Sequence, residues 1–169
     1  MIQEQSKKEI SYDFVENFDK DHFFSSHRSA LFLDRDGVII KDVDYINSPE
    51  DVEIERGLIE LLHNAYKYAW PVIIVTNQSG ISRGFYSWNE FFAVNKKMIE
   101  LIGKPNPIYS IYANSHIKLN SSNWRKPNPF MLREAAKKFG IDLKKSIIVG
   151  DRISDLQAGI RSGVGNLIH

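Results

Sequence analysis

From Ser29 onward the chain changes repeatedly between two textures. Ala30-Leu31-Phe32-Leu33 and Val72-Ile73-Ile74-Val75 are short continuous apolar runs, as expected for strands buried on both faces. Ile108 to Tyr112 and Ile147-Ile148-Val149 predict a third and a fourth strand, and Asn166–Ile168 a short last one. Between them the apolar positions fall at helical spacing: Leu58, Leu61, Leu62, Ala65 and Ala69, then Met131, Leu132, Ala135, Ala136 and Phe139. Ser87 and Glu90 have the spacing of a capping box, which opens a helix running to about Ile102, with Gly103 as its stop. Gly140 ends the next helix, and a further one is expected over Ser154–Ser162. Residues 1–28 are mostly polar. There Ile10, Phe14 and Phe18 recur every four residues and predict one short amphipathic helix in an N-terminal extension, ahead of a domain over 29–169.

Strands alternating with helices predict an α/β fold of three layers, Rossmann-like, with a central mainly parallel sheet covered on both faces. The 39 residues between Asp36 and Thr76 must supply a loop and a helix, and the 49 between Thr76 and Lys126 a helix and a strand, so no cap domain fits. Composition adds exclusions. At 169 residues the chain holds one domain, and 43% hydrophobic with 25% charged residues is a globular mix. No apolar run is long enough for a membrane helix, and no secretory signal is evident, so a cytoplasmic protein without membrane contact is expected. The net charge of +1 gives no global footprint for nucleic acid. The absence of cysteine rules out disulfides, thiolate catalysis and cysteine-based zinc sites.

In parallel sheets ligands bind beyond the carboxyl ends of the strands. The first strand is followed by Asp34-Arg35-Asp36-Gly37, whose two acids leave an extended backbone on one side. The second is followed by Thr76-Asn77-Gln78-Ser79-Gly80, and the fourth by Gly150-Asp151-Arg152-Ile153-Ser154-Asp155. Arg125-Lys126-Pro127 precedes the helix between the last two. Each group has a task in phosphoryl transfer. A carboxylate can attack phosphorus. A hard cation such as Mg²⁺ removes the repulsion between that carboxylate and a phosphate. A lysine offsets further charge, hydroxyl and N–H donors hold the other oxygens, and a second acid can move protons. Any one of these features alone has an ordinary explanation as a turn, a helix cap or a surface lysine. Their joint occurrence in this order does not.

With those residues in place, the sequence resembles a haloacid dehalogenase (HAD) superfamily phosphatase over residues 29–169. Leu31-Phe-Leu-Asp34-Arg-Asp36-Gly-Val-Ile, Val75-Thr76-Asn77, Lys126 and Gly150-Asp151-x-x-x-Asp155 match its four motifs. Thr76-Asn-Gln-Ser-Gly-Ile-Ser-Arg83-Gly84-Phe, Arg125-Lys126-Pro127-Asn-Pro and Asp42-Val-Asp-Tyr45 are similar to the group that includes heptose 1,7-bisphosphate 7-phosphatases and, nearby, histidinol-phosphate phosphatases. The resemblance implies Asp34 as nucleophile and Asp36 as general acid and base. It implies Mg²⁺ held by Asp34, the backbone carbonyl of Asp36, and Asp151. Thr76 and Lys126 would stabilise the phosphoryl group, with Asp155 behind Lys126. Asp42, Tyr45, Asn77, Gln78, Ser79, Arg125 and Arg152 would contact substrate. Arg125 suits a second, distal phosphate because a guanidinium binds phosphate through two N–H groups. Phe85, Tyr86, Trp88 and Trp124 are candidates to line the mouth, although for Trp88 ordinary packing on its helix is the favoured reading.

The implied activity is hydrolysis of a sugar phosphate by a monomer or weak dimer, most specifically a heptose bisphosphate in bacterial surface-polysaccharide (lipopolysaccharide) synthesis. Histidinol phosphate and a polynucleotide 3′-phosphate are alternative substrates, and a scaffold without turnover is the non-enzymatic alternative. The chain departs from the group at a zinc loop of one histidine and three cysteines. The aligned stretch Ala113–Trp124 has only His116, so zinc is not expected.

Overall fold

The structure, a computed structural model, describes residues 13–18, 28–120 and 123–169. Six strands, β1 (Asp13–Asn17), β2 (Leu31–Leu33), β3 (Val72–Asn77), β4 (Ile108–Asn114), β5 (Ile147–Val149) and β6 (Asn166–Ile168), form one sheet in the order β1-β4-β3-β2-β5-β6. All neighbours are parallel except β1, which runs antiparallel to β4. The apolar runs alternate their side chains across the sheet. Leu31, Leu33, Val72 and Ile74 point to one core with α1 (Leu58–Lys67) and α3 (Trp88–Ile102). Phe32, Ile73, Val75 and Ile148 point to the other, against α4 (Phe130–Phe139) and α5 (Ile153–Ser162). Double-sided burial explains why these strands read as unbroken apolar text.

The chain builds β2, β3 and β4 outward in one direction, then returns to add β5 and β6 on the far side of β2. The reversal lies between β2 and β5, where doubly wound sheets place their ligands. Leu33 pairs with Ile74 on one side and Val149 on the other, so Asp34 and Gly150 leave the sheet at the same level. Among the described residues no cap domain interrupts this edge. Residues 37–57 form a loop with one short helical turn at Pro49–Asp51, and the chain between β3 and β4 holds α2 (Ser79–Ser82) and α3.

Helix boundaries largely follow the sequence signals. The Ser87–Glu90 capping box is formed in both directions, and Gly103 ends α3. Ala69 is not part of α1, which ends at Lys67; Ala69 instead takes a positive φ of 54° in the turn toward β3.

The N-terminal helix is corrected. Asp13–Asn17 form β1, with Phe14 opposite Ala113, and Ile10 lies outside the described residues. A spacing of four aligns residues on one side of a helix, but also on one side of a strand, whose period is two. Phe14 and Phe18 join the core under α3, whereas Val15 packs on the opposite side near Tyr112, the alternation of a strand. The Phe14 ring lies 4.6 Å from Phe92 and 5.6 Å from Trp88, centroid to centroid. With β1 docked this way, Phe14→Ala should lower unfolding free energy by about 1–3 kcal/mol, less than a fully buried Phe because this ring is only partly covered. Urea denaturation would measure it, and a change near zero would mean that the strand contributes no packing.

Candidate active site

Two glycines let the acids converge. Gly37 has a φ of +81°, and a Cβ there would lie 2.6 Å from Asp151 Oδ2. At Gly150 a Cβ would lie 2.2 Å from the Cβ of Asp155. The glycine after the first acidic motif and the glycine before the last one therefore each make room for an acid of the Asp151–Asp155 segment.

Lys126 lies at the centre. Its Nζ is 2.9 Å from Asp34 Oδ2 and 2.6 Å from Asp155 Oδ1, and it donates to the Val75 carbonyl at 2.7 Å. All three side chains are almost wholly buried. Burial opposes the charge on Lys126, but Asp34 and Asp155 outweigh it and raise its pKa above the ordinary lysine value. Asp34 responds oppositely. Burial pushes its pKa up to about 6, Lys126 pulls down, and Asp155 and Asp36 push up again. Asn77 fixes the lysine backbone, since Lys126 N–H donates to its Oδ1 at 2.9 Å and its Nδ2 donates to the Lys126 carbonyl at 3.1 Å.

The carboxylates of Asp34, Asp151 and Asp155 each offer an oxygen within 4.8 Å of the others. Lys126 engages Asp155, while Asp151 Oδ1 is buried without a hydrogen-bond partner. A buried, unpartnered carboxylate oxygen is costly unless a cation meets it. Hard oxygen donors of this kind suit Mg²⁺.

A cavity of about 370 Å³ opens above this cluster. Asp34, Asp36, Lys126 and Asp155 form its floor, and Asp42, Tyr45, Asn77, Gln78, Ser79, Arg125 and Arg152 also line it. Thr76 is buried, with its Oγ1 accepting from Gln78 Nε2 at 2.7 Å. The sequence-derived residues thus come together, but Thr76 and Asp151 are not among the residues lining this cavity, and Asp151 lines a separate one with Gly37, Val38 and His169. Gln78 is buried among protein partners, donating also to Asp36 Oδ2 and accepting from Tyr86 and Arg35. Arg152 pairs with Asp42 at 3.1 Å across the rim. Arg125 donates to the His116 carbonyl, and among the described residues no carboxylate lies within ion-pairing distance of it. Burial first, then the guanidiniums of Arg83 and Arg152, lower its pKa from the ordinary arginine value. A crowded guanidinium without an acid favours an incoming anion.

Of the aromatic candidates, only Tyr86 is among the residues lining the cavity. Phe85 packs edge-on against Tyr45, Trp88 against Phe14, Phe91 and Phe92, and Trp124 against Tyr112. His116 Nδ1 lies 2.8 Å from Asn114 Nδ2 and 3.8 Å from Asp13. Sequence reasoning overlooked Arg35, Tyr86 as a polar partner of Gln78, Val43 and Leu119 on the cavity wall, and Asn95. Asn95 had a signal, because it lies four residues after Phe91 on the apolar face of α3.

Acids at the switch point of a doubly wound sheet, bridged by a buried lysine, define a phosphoryl-transfer class of site. Residues 123–167 match the HAD-hydrolase-like family model. The chain is 39% identical over 149 residues to a D-glycero-β-D-manno-heptose-1,7-bisphosphate 7-phosphatase of Mesorhizobium japonicum, covering 83% of this chain and 69% of that protein. It is 41% identical over 140 residues to the α-anomer 7-phosphatase of Campylobacter jejuni, covering 82% of this chain and 80% of that one. Among solved structures, a Mesorhizobium loti protein described as a HAD-like phosphatase superposes with a TM-score of 0.84 at 37% identity, covering 90% of this chain and 76% of that one. The D,D-heptose 1,7-bisphosphate phosphatase of B. bronchiseptica, complexed with magnesium and phosphate, gives 0.74 at 30% identity, covering 83% and 79%. The chain belongs to the HAD-like hydrolases and, within them, to the D-glycero-D-manno-heptose-1,7-bisphosphate 7-phosphatase family.

Lys126→Met should expose the cost of the buried acids. Removing one partner of a buried ion pair costs about 3–5 kcal/mol. Asp34 titrates near 6 when folded, above its unfolded value of about 4, so the stability its protonated form gives is full below that lower value and lost as pH rises through the upper one. The loss in Lys126→Met should therefore be larger at about pH 7.5 than at about pH 5, read by urea denaturation of the metal-free protein. A pH-independent loss would contradict the ion-pair cluster.

Proposed function

We propose that the protein is a Mg²⁺-dependent phosphomonoesterase that removes the 7-phosphate of D-glycero-D-manno-heptose 1,7-bisphosphate through an aspartyl-phosphate on Asp34. The observation that carries this reading is the buried Asp34–Lys126–Asp155 cluster beneath a cavity whose lining includes Arg125 and Arg152. The names of the relatives support the substrate, and the magnesium and phosphate bound to the B. bronchiseptica enzyme support the cofactor.

Asp34 and Asp151, with the backbone carbonyl of Asp36, would hold Mg²⁺, which when bound neutralises the phosphate charge facing a carboxylate. Asp34 attacks phosphorus, forming an O–P bond as the ester O–P bond breaks. Lys126 offsets charge on the transferring group, and Thr76 donates its hydroxyl hydrogen to a phosphoryl oxygen. Asp36 protonates the departing sugar oxygen, then takes a proton from the water that cleaves the aspartyl-phosphate. Tyr45, Ser79 and Asp42 flank the sugar. Arg125, backed by Arg152, meets the second phosphate. Asn77 and Gln78 act from behind, through Lys126 and Asp36, rather than on the sugar.

Phosphate release by the purified protein, with Mg²⁺ and with EDTA, tests this directly. The panel is both anomers of the heptose bisphosphate, histidinol phosphate and a 3′-phosphorylated oligonucleotide. Mg²⁺-dependent release from the heptose alone, abolished in Asp34→Asn, is expected. Preference for another ester would keep the chemistry and discard the substrate, and no release from any would overturn both. Arg125→Ala should raise KM for the bisphosphate by about tenfold or more, as expected when a charged hydrogen-bonding partner is lost. The same substitution should leave KM for a monophosphate nearly unchanged, and an equal rise for both would remove Arg125 from the distal phosphate.

A further inference from the structure

Arg35 lies between the two acids of the first motif, yet it is one of the largest fully buried side chains of the protein, 1% exposed. A guanidinium there must be matched by partners or it is strongly destabilising. It is matched closely. Nε reaches Asp36 Oδ1 at 3.1 Å, and Nη2 reaches Asp36 Oδ2 at 3.2 Å. Nη2 also donates to Gln78 Oε1 and Nη1 to Asn95 Oδ1, each at 3.0 Å. The guanidinium lies over the Phe91 ring, 5.0 Å from its centroid. Gln78 closes the circuit by donating to Asp36 Oδ2 at 2.7 Å. Behind Asn95 stands Glu16 of β1, and Glu16 Oε2 and Asn95 Nδ2 are both buried with no hydrogen-bond partner among the described residues.

A carboxylate offers about four lone-pair sites. Arg35 and Gln78 occupy the inner ones of Asp36, whose side chain remains 21% exposed and faces the cavity. The carboxylate therefore has one orientation with an open site toward the substrate. We propose that Arg35 is a positioning residue for Asp36. It fixes the acid against the leaving oxygen by a two-point grip that is itself anchored on Asn95 of α3 and Gln78 of the β3 loop. A lysine could supply the charge but not the planar fork. This inference rests on the proposed phosphatase reading, in which Asp36 moves the proton.

The test is a double-mutant cycle between Arg35→Lys and Asp36→Asn, read by steady-state kinetics of phosphate release from the heptose bisphosphate. General acid–base catalysis is worth roughly 10²–10⁴-fold, so misplacing its carboxylate should cost about 10- to 100-fold in kcat, with KM moving less than about threefold. In the Asp36→Asn background the same Arg35→Lys change should alter kcat by less than about twofold, because a residue acting through Asp36 has nothing left to place. Losses that multiply across the two sites, or that appear in KM, would overturn the proposal and leave Arg35 a packing residue. Should Arg35→Lys fail to fold, Asn95→Ala removes its far anchor without touching Asp36 and takes its place in the same cycle. A wild-type protein that releases no phosphate would refute the phosphatase reading instead.

Discussion

The ammonium of Lys126 is the point on which the site depends. Three elements that never pair in the sheet ladder meet on it: the tip of β2 through Asp34, the start of α5 through Asp155, and the loop before α4 that carries the lysine itself. Two carboxylates so close would repel in a medium of low dielectric. One buried cation converts that repulsion into a bridge. It also ties β3 into the arrangement through the Val75 carbonyl, so the bridge spans the sheet's switch point. The same acids that would make the site reactive make it unstable without this cation.

Around the bridge, a second layer of polar contacts is devoted to orientation. Asn77 holds the lysine backbone by both ends of its amide. Gln78, Arg35 and Asn95 form a connected network around Asp36, and connected polar networks of this kind fix the orientation of their members. Residues that a motif-based reading assigns to the sugar are in this way turned inward. The substrate side is left to the rim, where Arg125, Arg152, Asp42 and Tyr45 gather.

Much of this was legible in the sequence because the fold repeats simple signals. The short unbroken apolar runs marked the strands, and the residues immediately after them supplied the acids. Less legible was anything decided by packing between distant segments. Phe14 and Phe18 carry a spacing that a helix and a strand share, and only contact with β4 and α3 selects the strand. Gln78 and Arg35 look exposed in a polar motif, yet both are buried, since partners more than forty residues away satisfy them. Trp124 lies beside the motif lysine in sequence, but its ring turns to Tyr112.

The level departure of Asp34 and Gly150 from adjacent strands has a bearing on how such a protein can diverge. The reacting groups inherit their spacing from backbone ladder geometry, with β2 and β5 each only three residues long. A one-residue insertion in either strand would turn an acid to the opposite face. The segments that shape the rim, Asp42 to Ile46 and the stretch around Leu119, carry no such constraint. Substrate range is therefore free to drift by rewriting surface loops while the chemistry stays locked.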